Sequence, residues 1–159
     1  MSKLSTARLE LRVRALGDSD GLLALYSDPD VGMYMGGAIT DRDKIVKAVF
    51  TSDSHWRKNG YGLWSVFLKT SGKLIGTCGL QLTISSETEL LCHIAKTHWK
   101  KGYATEACQA VIKYGFEIHK LNQIVALSDG KNLAAIKVLE KLGFKHGGKQ
   151  YILTKRVSP

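Results

Sequence analysis

The chain has 159 residues, about one domain's length, and its 44% apolar and 23% charged residues describe a globular protein with a sizeable core, which excludes disorder. Its 16 glycines against 2 prolines exclude collagen-like and low-complexity classes, and no apolar run approaches the roughly 18–20 residues that span a bilayer. Twenty-three basic against 14 acidic residues leave a net charge of +9, which favours an anionic partner such as nucleic acid, an acidic protein or a phosphate-rich cofactor, although a solvated basic surface has the same signature.

Cys78, Cys92 and Cys108 cannot all pair within one chain and form no Cys-x-x-Cys pattern, so they read as reduced thiols. The first six residues show no apolar stretch of the kind a secretory signal carries. Both features make the expected location cytoplasmic.

Leu9–Arg14 alternates apolar and charged side chains, the pattern of a half-buried strand. Asp18 offers a cap to a helix carrying Leu22, Leu23, Leu25 and Tyr26, which Asp28-Pro29 stops. Residues 32–37 read as a loop. Thr40 and Asp43 resemble a capping pair before the apolar face Ile45, Val46, Val49 and Phe50.

Strands follow at Leu63–Leu68 and Leu74–Leu82, joined by a turn at Thr70–Lys73, and a third lies at Glu89–Ala95. In that third strand Leu90, Cys92 and Ile94 share one face, with Glu89, Leu91, His93 and Ala95 on the other. Gly102 and Tyr103 open a helix with Ala104, Ala107, Cys108, Val111, Gly115 and Ile118 at three- and four-residue intervals. Gln123–Leu127 is a short strand. Asn132–Leu142 is a helix ended by Gly143, and Tyr151–Leu153 is a last strand. The expected fold class is mixed α/β, one domain over residues 1–159.

The segment from Glu89 to Ala107 carries the chemistry. It is a strand, a loop holding Lys96, Lys100 and Lys101, and a helix start with small residues at Gly102 and Ala104. The first N–H groups of a helix lack partners and carry partial positive charge, so small side chains there let an anion approach.

The run Trp99-Lys-Lys-Gly-Tyr-Ala-Thr-Glu-Ala107 resembles the acetyl-CoA-binding motif of the GNAT superfamily of N-acyltransferases. It looks most like the branch of ribosomal-protein alanine and serine N-terminal acetyltransferases, which often have Trp where the superfamily pattern has Gln or Arg. Downstream, Asn132-Leu-Ala-Ala-Ile-Lys-Val-Leu-Glu-Lys-Leu-Gly-Phe144 is similar to the family's Asn-x-x-Ser…Glu-Lys-Leu-Gly-Phe helix, and Gly62–Gln81 to its strand–hairpin–strand. The likeness runs from about Arg8 to Arg156.

This resemblance implies a GNAT-like fold: a central, mostly antiparallel sheet with flanking helices, in which two neighbouring parallel strands, here Glu89–Ala95 and Gln123–Leu127, splay apart. The pantetheine arm of acetyl-CoA is then expected to pair with backbone groups of Ile94, Ala95 and Lys96. Its pyrophosphate is expected on amides of Lys101, Gly102, Tyr103, Ala104 and Thr105. Asn132 would bond the arm or nearby water. Lys137 and Lys141 would lie near the nucleotide end or simply form a solvated face. No metal is implied, and the five histidines lack the spacing of a zinc site.

The implied reaction is direct attack of an uncharged primary amine on the thioester in a ternary complex, with a backbone N–H near His93–Ile94 stabilising the developing oxyanion. Glu89 is the first candidate for the base and His93 the second, against the alternatives of a strand-end carboxylate in solvent and a satisfied strand histidine. The family's acids, a Ser or a Tyr on the last helix, are replaced here by Ala135 and Leu139. Asn132, Tyr103 or water is left to serve. The amine groove is expected between the N-terminal helices and residues 32–38, with Trp56, Tyr61 and Trp64 as liners.

Protein α-amines lead as acceptors and small amines come second; no membrane partner is expected, and a homodimer is. The alternatives are a basic nucleic-acid- or ribosome-binding module, or an acyl-CoA binder with little catalysis. Dispersed lysines favour the enzyme over a nucleic-acid reader. The run Gly143–Gln150 matches a phosphate loop only superficially, since Gln150 replaces the Ser or Thr and a helix precedes it.

Overall fold

The structure, a computed structural model, describes residues 2–148 and 150–155. Arg156, at the far end of the family likeness, and Lys149, within the rejected phosphate-loop pattern, lie outside them. In chain order the elements are β1 (Leu4–Ser5), β2 (Leu9–Val13), α1 (Ser19–Tyr26), α2 (Pro29–Gly32), α3 (Arg42–Asn59), β3 (Leu63–Leu68), β4 (Leu74–Leu82) and β5 (Thr88–Ile94). Then come α4 (Tyr103–Glu117), β6 (Gln123–Ala126), α5 (Leu133–Lys141), β7 (Lys145–Gly147) and β8 (Gln150–Thr154). None of these helices is long and apolar enough to cross a membrane.

The strands form one eight-stranded sheet in the order β1-β2-β3-β4-β5-β6-β8-β7. Every neighbouring pair is antiparallel except β5–β6, which is parallel. The mixed α/β architecture expected from the sequence is the one observed, with β3 and β4 at their expected bounds.

Period-two alternation divides the sheet into two faces. One packs Leu9, Leu11, Trp64, Val66, Cys78, Leu80 and Leu90 against Ala107, Cys108 and Val111 of α4. A smaller cluster on the other side joins Leu22, Leu25 and Tyr26 of α1 to Ile45 and Val49 of α3. Tryptophan 64 is fully buried, edge-on to Trp56 and Tyr114.

Several local expectations change. Asp18 occupies the cap position of α1 without capping it; its carboxylate accepts instead from Ala15 N at 2.9 Å and Ser65 Oγ at 2.8 Å. The cap of α3 is Asp41, accepting from Asp43 N at 2.9 Å, so Thr40 is displaced by a residue better placed for the first free amides. Asp28 stops α1 and also starts α2, because its side chain accepts from Asp30 N and Pro29 stands at the first helical position. The strands β1 and β7 are too short for a periodic signal.

The sheet's centre is held tight by glycine. A Cβ on Gly79 would sit 2.3 Å from Gly62 O and 2.6 Å from Leu63 Cα, both unyielding backbone atoms. Gly79→Ala is therefore expected to cost about 1–3 kcal/mol, as overpacking of a core does. Urea unfolding should show a lowered midpoint for it, whereas Gly17→Ala, with nothing within 4 Å of the new Cβ, should leave the midpoint in place.

Candidate active site

The parallel strands β5 and β6 share one bridged pair, Glu89 with Val125, and separate beyond it. The antiparallel bond from Ala95 N to Ile75 O, at 2.7 Å, flanks Ile94 opposite Gly76, so this pair does not bond to itself. By the alternation of such a ladder, the amides and carbonyls of Cys92 and Ile94 point away from β4, into the widening gap. A cavity of about 930 Å³ occupies that gap, within the usual size range of small-molecule sites.

Ile94 O accepts the indole N–H of Trp99 at 2.6 Å, a contact that folds the lysine-bearing loop back onto the strand end. Of the next two residues, Ala95 N donates to β4, Ala95 O accepts from His98 N, and Lys96 O accepts from Trp99 N, while Lys96 N takes no part in these bonds. The ladder alternation turns the groups of Cys92 and of Ile94, one of the expected three, toward the gap. Lys96 directs its ammonium outward to Asp30 at 2.5 Å, and that hydrogen bond holds its pKa above the ordinary value.

Gly102 stands at the N-terminus of α4 with φ +83, which a side chain rarely tolerates, and Lys100 before it has φ +62. The left-handed pair turns the chain so that the first turn of α4 opens on the cavity, where Gly102, Tyr103, Ala104 and Thr105 all line the wall. Lys101 does not line it.

Beside this turn stands Arg8, which the sequence reading passed over. Its Nε donates to Glu106 Oε1 at 2.7 Å, its Nη1 to Lys101 O at 2.9 Å, and its guanidinium lies 4.3 Å from the centre of the Tyr103 ring. Burial opposes ionisation of Glu106, but hydrogen bonds from Thr6, the Arg8 backbone and the Arg8 side chain hold its carboxyl below the usual range. Arg8 Nη2 remains next to Gly102, 3.4 Å from where a Cβ would be. In the sequence it is one basic residue ahead of β2, with no local pattern that points to a site.

On the opposite face of β5, His93 lines the cavity. Its Nδ1 is 3.1 Å from the Tyr26 hydroxyl, which also accepts from Arg14 Nη2 at 3.3 Å, and Arg14 donates to Thr77 Oγ1 at 2.7 Å. Burial above all, with the Arg14 charge adding to it against an opposing effect of Cys92, holds the imidazole pKa below its ordinary value. This lowering favours the neutral imidazole.

Glu89 lies at the closed root of the fork, four residues from His93 along the strand, and does not line the cavity. Burial raises its carboxyl pKa. Asn132 does line the cavity, but its Oδ1 caps α5 by accepting from Ala135 N at 3.2 Å, leaving the amide nitrogen to face a ligand. Ala135 is on the wall and Leu139 is buried in the core, so neither position offers a hydroxyl.

Trp56, Tyr61 and Trp64 do not line the cavity: Tyr61 and Trp64 are buried in the core and Trp56 packs against it. The expected contribution of residues 32–38 survives in Met33, Tyr34 and Met35, and the Tyr34 hydroxyl donates to Lys131 O at 3.3 Å across the mouth. Lys137 and Lys141 are exposed and off the wall.

The Acetyltransferase (GNAT) domain family matches residues 8–145. The uncharacterized N-acetyltransferase p20 of Bacillus licheniformis is 33% identical over 151 residues, covering 93% of this chain and 85% of that protein. Among solved structures, the ribosomal-protein-S5-alanine acetyltransferase of Vibrio fischeri aligns with a TM-score of 0.81 at 17% identity, over 97% of this chain and 95% of its own. The spermidine N-acetyltransferase of Vibrio cholerae, in complex with CoA and spermine, aligns at 0.79 with 21% identity, over 94% and 96%. The two structures share the fold. With the family match running from the first long strand past the last helix, this chain belongs to the GNAT acetyltransferase family and is an N-acetyltransferase.

Proposed function

We propose that residues 1–159 act as one domain that transfers the acetyl group of acetyl-CoA to a primary amine, with a protein N-terminal α-amine as the leading acceptor. The observation that carries this reading is the fork of β5 and β6, with the amide of Ile94 and the backbone groups of Cys92 turned into the gap along one prong and the open first turn of α4 at its floor. Acetyl-CoA supplies an activated acyl thioester and a phosphate-rich handle; the residues present fit both. The amides of Gly102, Tyr103, Ala104 and Thr105, with that of Lys101 before them, form the pyrophosphate cradle, and Arg8 adds a fixed guanidinium beside it. Cys92 and Ile94 offer strand-like pairing to the pantetheine arm, and the Asn132 amide nitrogen faces it.

The acceptor enters from the face of β5 that bears His93. In the tautomer whose Nδ1–H donates to the Tyr26 oxygen, 3.1 Å away, Nε2 keeps its lone pair and takes the ammonium proton. The gap-facing amide of Ile94 is the donor placed to stabilise negative charge on the carbonyl oxygen. Tyr26 is a positioning residue, and His93 takes precedence over Glu89 because only His93 is on the wall. Tyr34, Tyr103 and Asn132 bring polar groups where Ala135 and Leu139 bring none.

A cytoplasmic location agrees with the thiols. The sulfurs of Cys78, Cys92 and Cys108 lie within 4.8 Å of one another and are unpaired, an arrangement that an oxidising compartment would not preserve.

Micromolar CoA should raise the melting temperature by linkage. Gly102→Val should abolish that shift, since both its φ and its place on the wall resist a branched side chain. Arg8→Ala should weaken CoA binding about tenfold, ~1.4 kcal/mol, by calorimetry. A shift retained in full by Gly102→Val would remove the cradle.

For the base, His93→Gln should lower kcat by about 10²-fold or more with CoA affinity unchanged. In the parent enzyme, kcat/KM should fall on the acid side as both the amine and the imidazole take up protons, the imidazole limb lying below pH ~6.5 because its pKa is depressed. That second limb should vanish in His93→Gln, and Tyr26→Phe should move it. If Glu89→Gln, and not His93→Gln, removes it, the base is Glu89.

A further inference from the structure

The amine-entry side of the cavity has a composition that narrows the acceptor. Large apolar side chains that stay exposed elsewhere on this molecule are scattered, yet Met33, Tyr34, Met35, Trp99, Leu127 and Leu133 all line this one cavity. Met33, at 58% exposure, and Tyr34, at 44%, belong to the segment after α2, on the face of β5 that carries His93. Trp99 sits at the cradle end. The acceptor therefore meets a thioether-rich and aromatic wall, adaptable in shape and weak in polar demands.

The charges on the same wall give a polycation little to hold. Of its two carboxylates, Asp30 is ion-paired with Lys96, and Asp129, which accepts from the backbone Lys131 N at 2.8 Å through Oδ1, is the one left without an ion pair. Lys100 and Lys131 also line the cavity and balance the two carboxylates, so the wall carries no excess of negative charge. A polyamine brings several ammonium groups, and for those beyond the reacting nitrogen the wall offers Asp129 as its one carboxylate without an ion pair, beside two lysines.

We infer that the acceptor is a monoamine attached to an apolar body, seated against Met33, Tyr34 and Met35 with its nitrogen toward His93, and that polyamines are rejected. This rests on the acetyl-transfer reading of the cavity and adds to it the substrate class and the residues that select it. A free aromatic or aliphatic amine and the N-terminus of a chain beginning with apolar residues present the same chemistry.

The test is calorimetry in two steps. CoA is titrated first; absence of binding there overturns the acetyl-transfer reading itself. Phenethylamine, a peptide amide with two apolar first residues, and spermidine are then each titrated into CoA-saturated protein. At least one of the first two should bind about tenfold or more tightly than spermidine, and which one does so separates the small amine from the peptide. The double variant Met33→Asp, Met35→Asp should weaken that amine about tenfold and bring spermidine closer, with CoA affinity unchanged. Spermidine binding as tightly as the apolar amines, failure of all three to bind the CoA-loaded protein, or a double variant with unaltered ranking overturns the inference.

Discussion

The site depends on two parallel strands that touch at one residue pair and then part. A strand edge turned toward a neighbour that has moved away leaves amides and carbonyls without partners, and such groups are costly to leave dry. Here Cys92 and the amide of Ile94 carry that cost, because the ladder to β4 uses the groups of Leu91 and His93 on the other side, while Ile94 O is taken by the Trp99 indole. A ligand that pairs with the free edge recovers hydrogen bonds the fold forgoes. The opening is thus a binding site by construction, and its depth is set by the position of the Glu89–Val125 bridge.

The cradle below the fork is tied to the far end of the sheet. Arg8 and Thr6 precede β2, several strands away from β5, yet both bond Glu106 in the first turn of α4. Glu106 thereby serves two ends: its charge suits the positive end of the helix, and it fixes the guanidinium that faces the open amides. The connection between β1 and β2 thus supplies both the hydroxyl and the guanidinium that hold Glu106, and the guanidinium also holds Lys101 O. Tyr26 makes the matching link on the other face, where α1 packs on the sheet and its hydroxyl orients His93.

Much of this was legible in the chain because it is local. Strand β3 announces itself by its aromatic and β-branched residues, β4 by the turn at Thr70–Lys73 before it, and the glycine at the head of α4 by its place between lysines and a periodic helix. Asn132 was legible as a helix start, although its oxygen turns out to be occupied by the cap. What escaped was what only folding brings together. Arg8 reads as an ordinary basic residue beside a strand until Glu106, 98 residues on, is placed next to it. Glu89 and His93 share a face in the period-two pattern, and that pattern says nothing of where the neighbouring strand departs; the departure point puts His93 on the wall and leaves Glu89 at the root. Trp56, Tyr61 and Trp64 are large aromatics, and such side chains serve a core as well as a groove; here they serve the core.

The net charge and the apolar entry act at different ranges. A charge of +9 makes a field that draws a polyanionic carrier and turns polycations away, but at physiological salt it fades over about 8 Å. Steering is therefore its role, and contact decides the rest. Lysines and the helix start gather at the phosphate end of the cavity, whereas the wall opposite His93 is built of methionine and tyrosine. An amine must lose its proton before it can attack, and an apolar wall of methionine and tyrosine disfavours the charged ammonium more than the free amine. The same wall that offers a polycation little thus favours the uncharged form of a monoamine beside His93, so selection of the acceptor and its activation come from one arrangement of side chains.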